Sequence, residues 1–264
     1  MQFYLIKSLN MGCSSSRLSE EKEESFIQKC ERDLGYFNSK SQEIDRTIHR
    51  YSVDLKMTAN QFLAAAYELK LSVPDQNQVS LEKFYESFKD HLGNYDARKL
   101  GSLGILLGKG SIKEKALILF QNYDRDISRT ISCEEFTTIL KDLVDISLGS
   151  TPHFALSKAS QSNKNQLAEY VKKLQSVKSA VVDYLKTAVF ENVTNELSIQ
   201  NFKLLFEQNE VCCLVSSSKL RKLALKKYQE IVVPAHIALG LLRDEAKFKD
   251  LLNHEIAKEM YEES

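Results

Sequence analysis

From Phe37 onward, apolar residues return at three- and four-residue spacing in runs separated by short polar breaks. This is the period of helices with one buried face. Ala59 to Leu71 reads as such a helix, with Phe62, Ala66 and Leu69 inward. Ser72 to Gln78 breaks the pattern, because Pro74 fixes the backbone and Asp75 and Asn77 favour turns. Ser80 is placed to cap a helix over Leu81 to Asp90, although Lys83 stands where a capping box wants Glu or Gln. Leu100 to Leu107 is apolar and spotted with glycine. Ile112 to Tyr123 turns Ala116, Leu119, Phe120 and Tyr123 to one face, and Phe136 to Leu148 turns Phe136, Ile139, Leu140 and Leu143 inward. Residues 147–165, rich in Ser, Asn and Lys, read as a linker or inserted loop. Helices follow over Gln166 to Phe190 and Ile199 to Glu207. Ser216 to Ser218 is a break, Lys219 to Ile231 a basic helix, and Pro234 opens a last helix to about Tyr261.

Composition narrows this picture. The 264 residues include only 9 Gly and 3 Pro, too few for the many turns of a barrel or sandwich, so the expected class is all-α. Lys plus Arg and Asp plus Glu are 36 each, which argues against a nucleic-acid partner held by bulk charge. The five cysteines are odd in number and contain no C-x-x-C pair, which fits neither a disulfide scaffold nor a zinc finger. The apolar stretch Ile231 to Leu242 is far short of the roughly 20 residues of a membrane-spanning helix. Phe3 to Ile6 is too short for a signal-peptide core, so a cytoplasmic location is expected.

The candidate chemistry lies in residues 124–135. Oxygen side chains fall at loop positions 1, 3, 5, 9 and 12, as Asp124, Asp126, Ser128, Ser132 and Glu135. Calcium takes about 6–8 oxygens, and twelve residues at this spacing supply them. Asp124, Asp126 and Ser128 give one oxygen each and Thr130 its backbone carbonyl. Ser132 acts through a water and Glu135 closes the shell with both oxygens. Ile131 holds position 8, where such loops pair through two short strands. This is the EF-hand pattern, with one departure. Arg129 occupies position 6, where the sharp turn calls for Gly. The expected affinity is therefore about 10⁻⁵ M or poorer. The competing reading is a degenerate loop that keeps the fold and holds no ion.

The run LGILLGKGSIKEKALILFQNYDRDISRTISCEEF resembles the third-site region of the calcineurin B, neuronal calcium sensor and calaxin families over Leu103 to Leu143. The resemblance implies paired helix–loop–helix units in two lobes and, through calaxin, a ciliary setting. Placing an apolar residue at position 8 before a helix gives three relic loops. They are Arg50 to Gln61 with Met57, Phe88 to Lys99 with Gly93 at position 6 and Tyr95 at position 8, and Phe190 to Asn201 with Leu197. Gln61, Lys99 and Asn201 stand where the closing acid belongs, so these loops are scaffold. The alternative is a set of unrelated helices around one EF-hand pair. The expected organisation is a mobile segment 1–35, a degenerate pair 36–108, a pair 109–215 with one competent loop and a polar insertion at 147–165, and a helical extension 216–264.

Met11-Gly12-Cys13 followed by three serines matches an N-myristoylation motif, with Cys13 placed for palmitoylation if translation starts at Met11. A chance match in a Ser-rich tail is the other reading. Lys219, Arg221, Lys222, Lys226 and Lys227 form a basic helix that suits acidic lipid or an acidic partner, or is simply a solvated face. The last helix fits its own lobe's groove or a partner. His236 and His254 read as structural, and Cys212-Cys213 as buried helix-end residues. No phosphate loop, nucleophile elbow or H-E-x-x-H occurs, so neither an enzyme nor a small-molecule substrate is expected. The sequence thus points to a calcium-modulated protein that binds a partner helix in a hydrophobic groove. The alternative is a structural EF-hand-fold subunit of a larger, ciliary assembly.

Overall fold

The computed structural model describes residues 20–73, 79–191, 196–208 and 210–234. The acylation motif with Gly12 and Cys13, and the last helix with His236 and His254, lie outside them. The first described element is helix α1 over 20–33. Then come α2 (Ser41–Tyr51), β1 (Lys56–Met57), α3 (Ala59–Glu68), α4 (Val79–Glu86), β2 (Tyr95–Asp96) and α5 (Ala97–Leu107). The second half runs α6 (Ile112–Tyr123), β3 (Thr130–Ser132), α7 (Cys133–Asp145), α8 (Thr151–Lys158), α9 (Gln161–Ser176), α10 (Lys178–Phe190), β4 (Glu196–Ser198), α11 (Ile199–Leu205) and α12 (Ser217–Lys227). The molecule is predominantly helical. No described helix is long and apolar enough to cross a membrane.

The strands form two antiparallel pairs. Met57 stands opposite Tyr95 in one, and Ile131 opposite Leu197 in the other. These four are the eighth residues of the twelve-residue segments starting at 50, 88, 124 and 190. The ninth residues, Thr58, Asp96, Ser132 and Ser198, each accept a backbone N–H with the side chain and start α3, α5, α7 and α11. Phe62, opening α3, stacks on Tyr95 at 4.3 Å, while Phe136 and Phe202, early in α7 and α11, lie 6.3 Å apart. The two halves share one contiguous apolar core. Between α2 and α5 the approach is close: a Cβ on Gly104 would come within 2.5 Å of Ile44.

Four expectations are corrected. Residues 147–165 are neither linker nor loop. A π-helical turn, Ile146–Ser150, carries α7 into α8, and Leu148, Thr151, Phe154 and Ala155 are buried. The polar composition misled because Thr151 Oγ1 and the Ser147 carbonyl are taken by Arg221 rather than by water, and the Leu148 carbonyl, which Pro152 cannot bond for want of an N–H, is taken by Gln175 Nε2. Residues 20–33 are not mobile tail but a packed helix, with Ile27 and Cys30, and Leu34 just after it, in the core. The single helix expected over Gln166 to Phe190 is two helices, broken at Val177, which buries its side chain at the break. Ser80 lies within α4 rather than ahead of it.

Arg221, expected on a solvated basic face, is fully buried. Its guanidinium grips Glu24 through Nε (2.7 Å) and Nη2 (2.9 Å), and Glu31 through Nη1 (2.7 Å) and Nη2 (3.1 Å). Nη1 also donates to Ser217 Oγ and Thr151 Oγ1, and to the Ser147 carbonyl in the π-turn. Burial works against the charge, but the two glutamates hold the Arg221 pKa above its ordinary value. A buried pair that loses one partner leaves an uncompensated charge, which costs about 3–5 kcal/mol. Arg221→Met is therefore expected to lose about that much in urea unfolding. Adding Glu24→Leu and Glu31→Leu should recover a large part; an equal loss in the single and triple variants would show that the stranded carboxylates are not the cause.

Candidate metal centre

The loop from Asp124 to Ser132 is closed by its own side chains. Asp124 caps the carboxyl end of α6. Its Oδ1 accepts from Ser128 Oγ (3.3 Å) and its Oδ2 from the Arg129 N–H (3.1 Å). Asp126 Oδ1 accepts from the Ser128 N–H at 3.0 Å, and the hydroxyl and amide of Ser128 hold the Asp126 carboxyl below the usual carboxylate range. Ser128 Oγ also lies 3.2 Å from the Thr130 carbonyl oxygen and 3.1 Å from Thr130 Oγ1. Asp124, Asp126, Ser128 and Thr130 are thus gathered around one hydroxyl.

Ser132 and Glu135 are engaged elsewhere. Glu135 Oε2 accepts from the Ser132 N–H and Oγ, both at 2.9 Å, while Ser132 Oγ accepts from the Glu135 N–H at 3.2 Å. This capping box starts α7. Among the described residues no three His, Cys, Asp or Glu side chains converge to hold a metal ion. The structure therefore brings four of the six sequence-derived positions together and turns Glu135 toward its own helix start.

The backbone accounts for the turn. Arg129 has φ 64°, and the same position in the first two segments is also left-handed, Leu55 at 61° and Gly93 at 81°. Only Gly93 takes that region without a Cβ penalty. Ile127 is left-handed too and 81% exposed.

Two residues went unread in the sequence. Glu196 sits opposite Ser132, and its Oε2 accepts from Thr130 Oγ1 at 3.3 Å. Aligning the eighth residues Ile131 and Leu197 gives that register directly. Lys56 in β1 donates to Asp90 Oδ2 at 2.7 Å, while Asp90 Oδ1 takes the N–H groups of Leu92 and Asn94. The Lys56 ammonium and these amides lower the Asp90 pKa to about 2. The second loop thus has its positive charge supplied from within the chain, a signal that single-loop spacing does not carry. The Cys212-Cys213 pair lies in a short 3₁₀ turn, Val211–Val215, where Cys213 is buried and burial pushes its thiol up to about 12.

No family model, curated protein or solved structure matches the chain.

A left-handed φ costs an L-residue about 1–2 kcal/mol, and glycine loses about 0.5–1 kcal/mol more entropy on folding. Arg129→Gly should therefore stabilise the calcium-free protein by roughly 0.5–1 kcal/mol in urea unfolding. A loss of stability would mean that the Arg129 side chain makes a contribution larger than its strain.

Proposed function

We propose that the chain is a calcium-binding regulatory protein built from two EF-hand pairs, with one competent loop at 124–135 and three scaffold loops. It binds a partner helix or protein in a calcium-modulated way and is not an enzyme. The observation that carries this reading is the closed loop itself, in which Asp124, Asp126, Ser128 and Thr130 converge around the Ser128 hydroxyl with Arg129 in the left-handed turn. The donor set is all oxygen, which suits a hard cation. The cross-pairing of Met57 with Tyr95 and of Ile131 with Leu197 supports the paired arrangement.

Bidentate ligation by Glu135 takes its Oε2 from Ser132, and losing such a cap costs about 0.5–2 kcal/mol. Together with strain at Arg129, this favours binding at about 10⁻⁵ M or poorer. The same capping box favours a second reading, a structural subunit of the EF-hand fold with little calcium dependence, since the loop satisfies its own oxygens without an ion. A ciliary assembly rests on the sequence resemblance alone, as does membrane contact through Gly12 and Cys13 on their motif.

Calorimetric titration separates the two. The calcium reading expects saturable heat for one site, removed by Glu135→Gln, with a calcium-dependent rise in binding of an apolar dye. No saturable heat up to about 1 mM calcium, the weak end of such sites, would leave the structural reading.

A further inference from the structure

A cavity of about 260 Å³ lies between α1, the end of α5, α6 and the start of α12. Lys115 of α6 lines it and is only 8% exposed. Its Nζ donates one bond, to the Val215 carbonyl at 3.3 Å, and no acidic side chain acts on it. An ammonium has three donors, so two remain unspent beside the cavity. A buried cation without a counter-charge costs several kcal/mol, which is the condition an anionic ligand would relieve.

The facing wall is the amino end of α12, an eleven-residue helix with Ser216 at the cap position and no side-chain cap. Its first-turn N–H groups carry the positive end of the helix dipole. The Ser217 hydroxyl is turned away, donating to Glu31 Oε1, and the Ser218 hydroxyl accepts from Gln28 Nε2. Arg32 adds an exposed guanidinium at the edge. Glu31 also borders the cavity, but both of its oxygens are held by Arg221, with Ser217 on one of them.

We propose that this cavity binds a small oxyanion, phosphate or a phosphomonoester, between the Lys115 ammonium and the amino end of α12. The Lys115 ammonium and the first-turn N–H groups of α12 border the same cavity, which suits a tetrahedral group with several acceptor oxygens. The volume is just below the about 300–1,000 Å³ of drug-sized pockets, room for one such group and a short stem. Burial lowers the Lys115 pKa to about 8, so the ammonium is still mainly charged at neutral pH. The site lies away from the loop at 124–135 and does not rest on the calcium reading.

The test is a titration of the calcium-free, ¹⁵N-labelled full chain with inorganic phosphate at pH 7, with acetate and chloride at matched ionic strength as comparisons. Saturable shifts confined to Ser217, Ser218, Lys219 and the Lys115 region, absent with chloride and weaker with acetate, are expected. Lys115→Met should weaken phosphate at least tenfold, whereas Lys113→Met, an exposed lysine of the same helix paired with Glu207, should not. Shifts that do not saturate, that spread over surface lysines, or that survive Lys115→Met overturn the proposal. Should Lys115→Met fail to fold, the wild-type shift map decides alone. Vesicles bearing phosphatidic acid form a second arm: Lys115-dependent sedimentation with them assigns the oxyanion to a lipid headgroup, and phosphate binding without it assigns a soluble source.

Discussion

A single guanidinium with no access to water sets the arrangement of the molecule. Arg221 joins α12 to α1 through Glu24 and Glu31, and reaches the π-turn between α7 and α8 through Thr151 and the Ser147 carbonyl. One positive charge faces two negative ones, and the excess is met by neutral donors: Tyr170 Oη to Glu24, Ser217 Oγ to Glu31, and Gln28 Nε2 to Glu24. Such a network is stable only when every member is satisfied, so α1, α12 and the π-turn are fixed together or not at all. The π-turn depends on it as well. Its carbonyls, released from regular helical pairing, are taken by Arg221 at Ser147 and by Gln175 at Leu148.

This explains which parts of the fold the chain makes legible. Helices with local signals are readable: α6 spans Ile112–Tyr123 because Ser111 and Glu114 box its start and an apolar face repeats to Tyr123. The loop register is readable because an apolar eighth residue precedes each exit helix. Where partners are distant in sequence, the reading fails. Arg221 is charged, so composition assigns it to solvent, and only the approach of Glu24 and Glu31 from nearly two hundred residues away turns it inward, where it meets Thr151 Oγ1 and the Ser147 carbonyl. The break at Val177 likewise has no Gly or Pro beside it. Of the candidate centre, spacing gives the gathering of Asp124, Asp126, Ser128 and Thr130 and the strained Arg129, but not the engagement of Glu135 with Ser132.

The loop pairs differ in where positive charge comes from. In the first pair, Lys56 crosses from β1 to Asp90, so the chain neutralises its own loop carboxylate. In the second, Asp124 and Asp126 receive only hydroxyl and amide donors, and Glu196 across the sheet adds another acid near Thr130. The two loops therefore meet their carboxylates differently, the first with an ammonium from across the sheet and the second with the hydroxyl and amides of its own turn.

Any movement of α7 that followed ion binding at that loop would meet resistance one turn after another. Tyr123 Oη, at the end of α6, donates to Asp142 Oδ2 of α7 at 2.7 Å, in contact with Ser102 of α5. Asp142 is buried, and burial raises its pKa. Breaking that bond would leave a carboxylate in the core without its donor, a cost of several kcal/mol. Beyond Asp142, α7 runs straight into the π-turn held by Arg221. The carboxyl-terminal half of α7 is thus anchored twice, whereas its first turn is held by the Ser132–Glu135 box and packing alone. Under the calcium reading proposed above, the ion would act on that first turn and on the β3–β4 pair. A wide hinge opening of the whole helix would have to break the Tyr123–Asp142 bond and the Arg221 clamp as well, so the apolar surface that calcium exposes under that reading lies at the first turn of α7 and beside the β3–β4 pair.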